Sequence, residues 1–409
     1  MLLSAPQLSI YLTLIHLATG HHDIPHFRCT NNPPGPLNPL PHYKTCSPVL
    51  DNTSPPPHHP WSYPPWCTPP AGKASTAAKL CTYTVTNLRG SSRGLSLLTT
   101  PYVAASLAPH IQDPDVAWLE KQRGSRLFSA SDGPFTITQA QNKGLGVFAT
   151  RRIQEGETLM ANTPILIRLT EQRHWRVRDV YTGLSHASTR LPRREKQALL
   201  GLSRKEDGYV VDDILRTNGF HVTVEGVDHT GLYPEIARIN HACRPKYSPT
   251  TLVIEAVAYK EIQAGEEVSL SYLPMNLLSE QRAQLIQKWG FNCTCSLCND
   301  AEACRVSDVN RGRIQDILES LDQVENRTQE NLRAAVDEVE DLGKKEGLAG
   351  QIGDFYGIIA DIYLKMGDLK NAREYGTMAV KMLQHYADFD NIRTSVAVAF
   401  IGKLDKAES

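Results

Sequence analysis

Six residues hold the densest potential chemistry: Cys293-Thr294-Cys295-Ser296-Leu297-Cys298. Three thiols this close cannot easily pair into unstrained disulfides. As thiolates they suit a tetrahedral zinc ion, with Zn–S bonds of about 2.3 Å. A fourth ligand is then needed. Cys304 follows shortly after, and Cys243 stands in Ile239-Asn240-His241-Ala242-Cys243-Arg244-Pro245. Spacing alone leaves both open.

Three further stretches carry polar or aromatic groups of possible use. In Asn142-Lys143-Gly144-Leu145-Gly146-Val147-Phe148-Ala149, two glycines precede an apolar run. Glycine allows positive φ and close backbone approach to a ligand. The same pattern also suits a tight turn into a strand. The lack of a third glycine and of a helix signal after it argues against a dinucleotide-binding turn. In Gly265-Glu266-Glu267-Val268-Ser269-Leu270-Ser271-Tyr272, apolar residues alternate. That predicts a short strand with one buried face, ending at a tyrosine. Asn218-Gly219-Phe220, Trp289 and Phe291 read singly as turn or core residues.

In their chain order, the glycine turn, Asn-His-x-Cys-x-Pro, Gly-Glu-Glu-x₄-Tyr and Cys-x-Cys-x₂-Cys resemble the SET-domain protein-lysine methyltransferases. The resemblance covers roughly residues 135–299 and looks most like the SET and MYND domain subfamily. Residues 169–217, where a MYND zinc finger is expected, hold no cysteine. The resemblance implies an α+β fold. Short antiparallel sheets would surround a knot-like site for S-adenosylmethionine, followed by a zinc-binding post-SET segment. It places Lys143, Gly144, Leu145 and Gly146 along the cofactor, with Asn240 and His241 hydrogen-bonding its two ends. Phe291 would stack on the adenine, and Asn218 would face the cofactor. Tyr272 would be the catalytic residue, with Phe220 and Trp289 lining the channel for the substrate lysine. Cys243, Cys293, Cys295 and Cys298 would hold structural zinc, leaving Cys304 outside the set. One departure stands out: Lys246 occupies a position where the family usually has asparagine, and the chain after it is short. It motivates a second expectation, an inactive SET-fold scaffold that binds proteins through its C-terminal helices.

Such a site has a stateable task. The attacking lysine must be neutral, although its free pKa is about 10.4. A desolvated aromatic channel lowers that value and excludes water.

The rest of the chain must position these groups. At 409 residues it is long enough for two or three domains, and a net charge of −1 makes no case for direct nucleic-acid binding. Sixteen of the 26 prolines precede residue 71, so residues 21–79 are expected to be of low order. Leu2 to Gly20 is apolar like a secretory leader but carries no Lys or Arg. Cys29, Cys46, Cys67 and Cys81 could form two disulfides outside the cytosol. Against that, the acceptor sequon Asn292-Cys293-Thr294 lies inside the cysteine cluster, where a sugar would not fit. Zinc-thiolate chemistry therefore favours the nucleus or cytoplasm.

The expected domains are an N-terminal extension over 80–134, a SET domain over 135–275 with a helical insertion near 170–215, and a post-SET segment over 276–304. Residues 305–409 follow as a helical module. Residues 300–409 carry net charge −7 and no proline. Tyr356, Ile359, Ala360, Tyr363, Ala372 and Ala379 sit at tetratricopeptide-like offsets. One such repeat is too few for a free solenoid, so these helices are expected to cover the core and wall a groove, with a possible protein partner. The implied substrate is a protein with an accessible lysine, a histone among the candidates; no membrane association is expected.

Overall fold

The computed structural model describes residues 58–71, 78–111, 133–141, 143–205, 208–224, 226–241, 248–249, 254–323, 327–386 and 392–408. The apolar leader, Cys29, Cys46, Cys243 and Lys246 lie outside them.

Three small sheets build the first part. The largest has six strands in the order β1-β2-β3-β7-β9-β8. These are β1 (Trp66–Thr68), β2 (Leu80–Val85), β3 (Leu95–Thr99), β7 (Leu166–Leu169), β8 (Phe220–Val224) and β9 (Val227–Leu232). Cys67 and Cys81 face each other across β1 and β2 and form a disulfide. After β3 comes helix α1 (Pro101–Ile111), which buries Val103, Ala104, Leu107 and Ile111.

The second sheet joins β4 (Phe135–Ala140), β5 (Gly144–Ala149), β10 (Asn240–His241) and β13 (Glu267–Leu270) in the order β10-β13-β5-β4. The β4–β5 hairpin closes at Gly144, whose φ of +73° suits glycine. In β13, Val268 and Leu270 are buried while Glu267 and Ser269 are less so. This period-two pattern is the one read from the sequence. The third sheet holds β6 (Thr158–Asn162), β11 (Ser248–Pro249) and β12 (Ile254–Val257). Among the described residues, all pairings are antiparallel except β3 with β7 and β10 with β13.

Helices α2 (Val177–Arg190), α3 (Arg193–Leu200) and α4 (Val210–Asn218) lie between β7 and β8. In α2 the buried residues Val180, Gly183, Leu184 and Ala187 recur at helical spacing and form one face. That face covers the six-stranded sheet. Thr82 Oγ1 donates to Gly183 O at 2.9 Å, and Ser96 Oγ to Ala187 O at 2.9 Å. A side chain on Gly183 would come within 2.6 Å of Leu98.

The C-terminal part is mostly helical. Helices α5 (Ser279–Ile286) and α6 (Ser296–Asn299) precede α7 (Ala301–Asp322), α8 (Gln329–Glu346), α9 (Ala349–Lys365), α10 (Leu369–Tyr386) and α11 (Ile392–Glu408). Asp300 and Thr328 cap α7 and α8 by accepting main-chain N–H groups. Gly353 of α9 packs on Leu383 of α10, while Tyr363 stacks on Tyr375 at 5.6 Å. Early α9 therefore meets late α10, making an antiparallel hairpin. Its buried Ile359, Ala360, Tyr363, Ala372 and Ala379 are residues singled out by their repeat-like offsets. The hairpin meets the sheets where Tyr259 packs edge-on against Tyr386, at 4.8 Å, and against Gly350.

Candidate active site

Tyr272 leaves the end of β13, and its surroundings come from three directions. The parallel pairing of β10 with β13 sets Asn240 opposite Ser269 and His241 opposite Leu270. This register brings the imidazole to the tyrosine backbone: His241 Nδ1 accepts from Tyr272 N at 3.1 Å. The two rings lie 5.1 Å apart. Trp289 comes from the short turn of helix after α5, its ring 5.5 Å from Tyr272. Phe291 follows after Gly290, whose φ of +79° lets the chain turn back. Its ring is 6.5 Å from Tyr272 and 6.1 Å from His241. Four aromatic side chains from three stretches of the chain thus meet at one place.

Burial shapes their electrostatics. Desolvation, helped by the Glu267 charge, pushes the Tyr272 phenol up to about 12. The phenol donates to Ile239 O at 3.0 Å, so its oxygen is left to accept. Desolvation lowers His241 to about 4, against the opposing pull of Cys295, with Arg282 and Lys143 adding to the fall. A neutral imidazole is what accepts a hydrogen bond at Nδ1.

Beside the aromatics lies a polar corner that sequence reasoning missed in part. Glu267 Oε1 accepts from Asn240 Nδ2 at 2.9 Å, and Glu267 Oε2 from Lys143 Nζ at 2.9 Å. Asn240 Nδ2 also reaches Leu145 O at 3.2 Å. A Cβ on Gly146 would stand 2.9 Å from Asn240 Nδ2, 2.9 Å from Ala140 Cβ and 3.0 Å from Glu267 Oε1. The corner therefore needs a bare backbone at this position. Leu145 and Phe291 are each well exposed for apolar residues, at 41% and 37%. Together these features form a surface with apolar rims and a backbone cradle, which fits a flat aromatic group carrying a polar tail.

Two expected residues sit elsewhere in the local network. Asn218 ends α4, and its Nδ2 donates to Ser203 O at 2.6 Å and Ile214 O at 2.8 Å. Phe220 opens β8, packs against the same apolar cluster as Tyr272, and meets Tyr233 edge-on at 5.9 Å.

The thiols of Cys293, Cys295 and Cys298 lie within 4.8 Å of one another. Three soft donors so gathered fit zinc. Leu297, buried between the second and third, anchors the turn. Cys304 is not part of this trio; it accepts a weak hydrogen bond from Arg282 Nη2 at 3.7 Å. The other candidate for a fourth ligand, Cys243, is outside the described residues. No described helix is long and apolar enough to cross a membrane.

Residues 144–273 match the SET domain family. Among curated proteins, the chain is 23% identical over 189 residues to the histone-lysine N-methyltransferase set5 of Schizosaccharomyces pombe, covering 44% of this chain and 56% of that protein. It is 35% identical over 103 residues to the histone-lysine N-methyltransferase SMYD3 of Mus musculus, covering 23% of each. It is 37% identical over 87 residues to the N-lysine methyltransferase SMYD2-B of Xenopus laevis, covering 20% of each. The matched stretches thus span between one fifth and just over half of these relatives.

Proposed function

We propose, from the SET domain matched over residues 144–273 and the similarity to the SMYD2 and SMYD3 proteins, that the chain is an S-adenosylmethionine-dependent protein-lysine N-methyltransferase. The observation that carries the reading is the convergence of His241, Trp289 and Phe291 on Tyr272, beside the three-thiol cluster.

The cofactor, when bound, supplies an electrophilic methyl group on a sulfonium. The residues that would hold it are Lys143, Gly144, Leu145 and Gly146, with Asn240, His241, Asn218 and Phe291. Zinc would be held by Cys293, Cys295 and Cys298, with Cys243 as fourth ligand.

Tyr272 orients the substrate. Its phenol stays protonated up to about pH 12, so it is not the proton acceptor at neutral pH. With its O–H donating to Ile239 O, its oxygen accepts an N–H of the incoming amine. The ring of Trp289 keeps water from that amine and so favours its neutral, attacking form. Phe220 is the further channel residue. His241 fixes the turn at Tyr272 through Nδ1. The substrate class is a protein lysine, with histones the first to try. A thiolate-held metal favours a reducing compartment; the Cys67–Cys81 bond pulls the other way.

The test is methyl transfer. The whole chain, purified with zinc, is incubated with isotopically labelled S-adenosylmethionine, histones and whole-cell protein. Label should appear on lysines of one or a few proteins. Tyr272→Phe should lower transfer by about 10²–10³-fold while costing only about 1 kcal/mol of stability for the lost hydrogen bond. A folded, zinc-loaded wild type that transfers nothing would leave the scaffold reading in its place.

A further inference from the structure

Residues 271–278, which lead from Tyr272 toward the cysteine cluster, belong to no strand or helix. Their main-chain groups are instead taken by side chains. Arg311 of α7 is fully buried, and its Nη1 donates to Met275 O. Gln315 Nε2 donates to Asn276 O at 2.9 Å. Arg282, itself buried, donates through Nη1 to Leu277 O at 2.6 Å. Asp308 Oδ1 accepts from Ser279 N at 2.7 Å. Asp308, Arg311 and Gln315 recur at helical spacing, so one face of α7 grips this segment.

Arg311 is set up for that grip. Its Nε donates to Ser307 Oγ and to Glu346 Oε2, each at 3.1 Å. Glu346, at the end of α8, also accepts from Ser307 Oγ at 2.5 Å and Asn310 Nδ2 at 2.9 Å. A buried ion pair is weak evidence of stability, since an apolar pair often packs as well. It does specify geometry. The guanidinium fork serves Glu346 and Met275 O at once, which a lysine ammonium cannot reproduce.

Resting on the methyltransferase reading, we propose that Arg311 is a positioning residue for the active site: from the helical region it holds the segment that joins Tyr272 to the cysteine cluster.

The test compares whole-chain variants. Arg311→Lys keeps the charge beside Glu346 but loses the fork. Arg311→Met combined with Glu346→Leu removes both charges and keeps the site filled. Leu404→Ala, at a buried position of α11, is a control for general destabilisation. Amide hydrogen exchange of residues 273–279 should quicken by roughly ten-fold in both Arg311 variants. Their kcat should fall by about ten-fold with KM for the protein substrate nearly unchanged. The control should change neither. Exchange at the wild-type rate in both Arg311 variants overturns the proposal, as does faster exchange with unchanged kcat. If the wild type transfers no methyl group, the functional reading fails on its own. Exchange then decides alone: faster supports the tether, unchanged overturns it.

Discussion

Glu267 and Glu346 hold similar partners in opposite surroundings. Glu267 bridges an ammonium and an amide, Lys143 and Asn240, and its side chain is 23% exposed. Glu346 bridges a guanidinium, an amide and a hydroxyl, and its side chain is 2% exposed. The open network has donors that a ligand can reach and re-use. The closed one has every partner within the fold, so its work is to fix the relation of α7 and α8 to Met275. Exposure, more than residue type, separates a binding corner from a brace.

The comparison can be broken first at the brace. Glu346→Ala leaves Arg311 charged and buried, and should cost about 3–5 kcal/mol in chemical denaturation at neutral pH. Glu267→Ala, in the same experiment, should cost about 1 kcal/mol or less. Equal losses would end the distinction. Next is Gly146→Ala. Its Cβ would stand only 2.9 Å from Asn240 and Ala140 and 3.0 Å from Glu267, closer than van der Waals contact, so about 1–3 kcal/mol of strain is expected. Calorimetry should show cofactor affinity falling with it.

A smaller effect follows acidification. Burial raises the Glu346 carboxyl, but Ser307, Asn310 and Arg311 outweigh it, and the group is held below the usual carboxylate range. Its contribution is therefore complete above the unfolded value of about 4.3 and is lost as pH falls through the folded value. Urea midpoints measured from pH 6 downward should drop more steeply for wild type than for Glu346→Gln. Smallest is Glu267→Gln, which keeps an acceptor for Asn240. It should shift stability by less than about 0.5 kcal/mol, while weakening cofactor binding in a calorimetric titration.

Much of the site was legible because its residues lie in short motifs. The alternation of Val268 and Leu270 points to a strand ending at Tyr272, and the thiol spacing points to a metal. The meeting of Trp289 and Phe291 with Tyr272 came only through the family resemblance. Glu267 looks like a solvated charge in a Glu-Glu pair until the parallel β10–β13 register brings Asn240 to it. Arg311 looks like one more charge on a charged helix. Its burial depends on α8 and on the residue 275 region, which no local pattern reveals. Asn218 carries both readings: its motif points to a ligand, and its Nδ2 also donates to the end of its own helix.

The Arg311–Glu346 pair also has a consequence for synthesis. Ribosomes deliver the chain from its N-terminus at about 5–20 residues per second. Every strand of the three sheets, and Tyr272 itself, emerges before Glu346 does. Until α8 is out, Arg311 has no counter-charge with which to be buried, and the segment beyond Tyr272 has no firm hold. A nascent or truncated chain can therefore assemble its sheets and still leave that segment loose. Completion waits on Glu346, which is translated well after Tyr272.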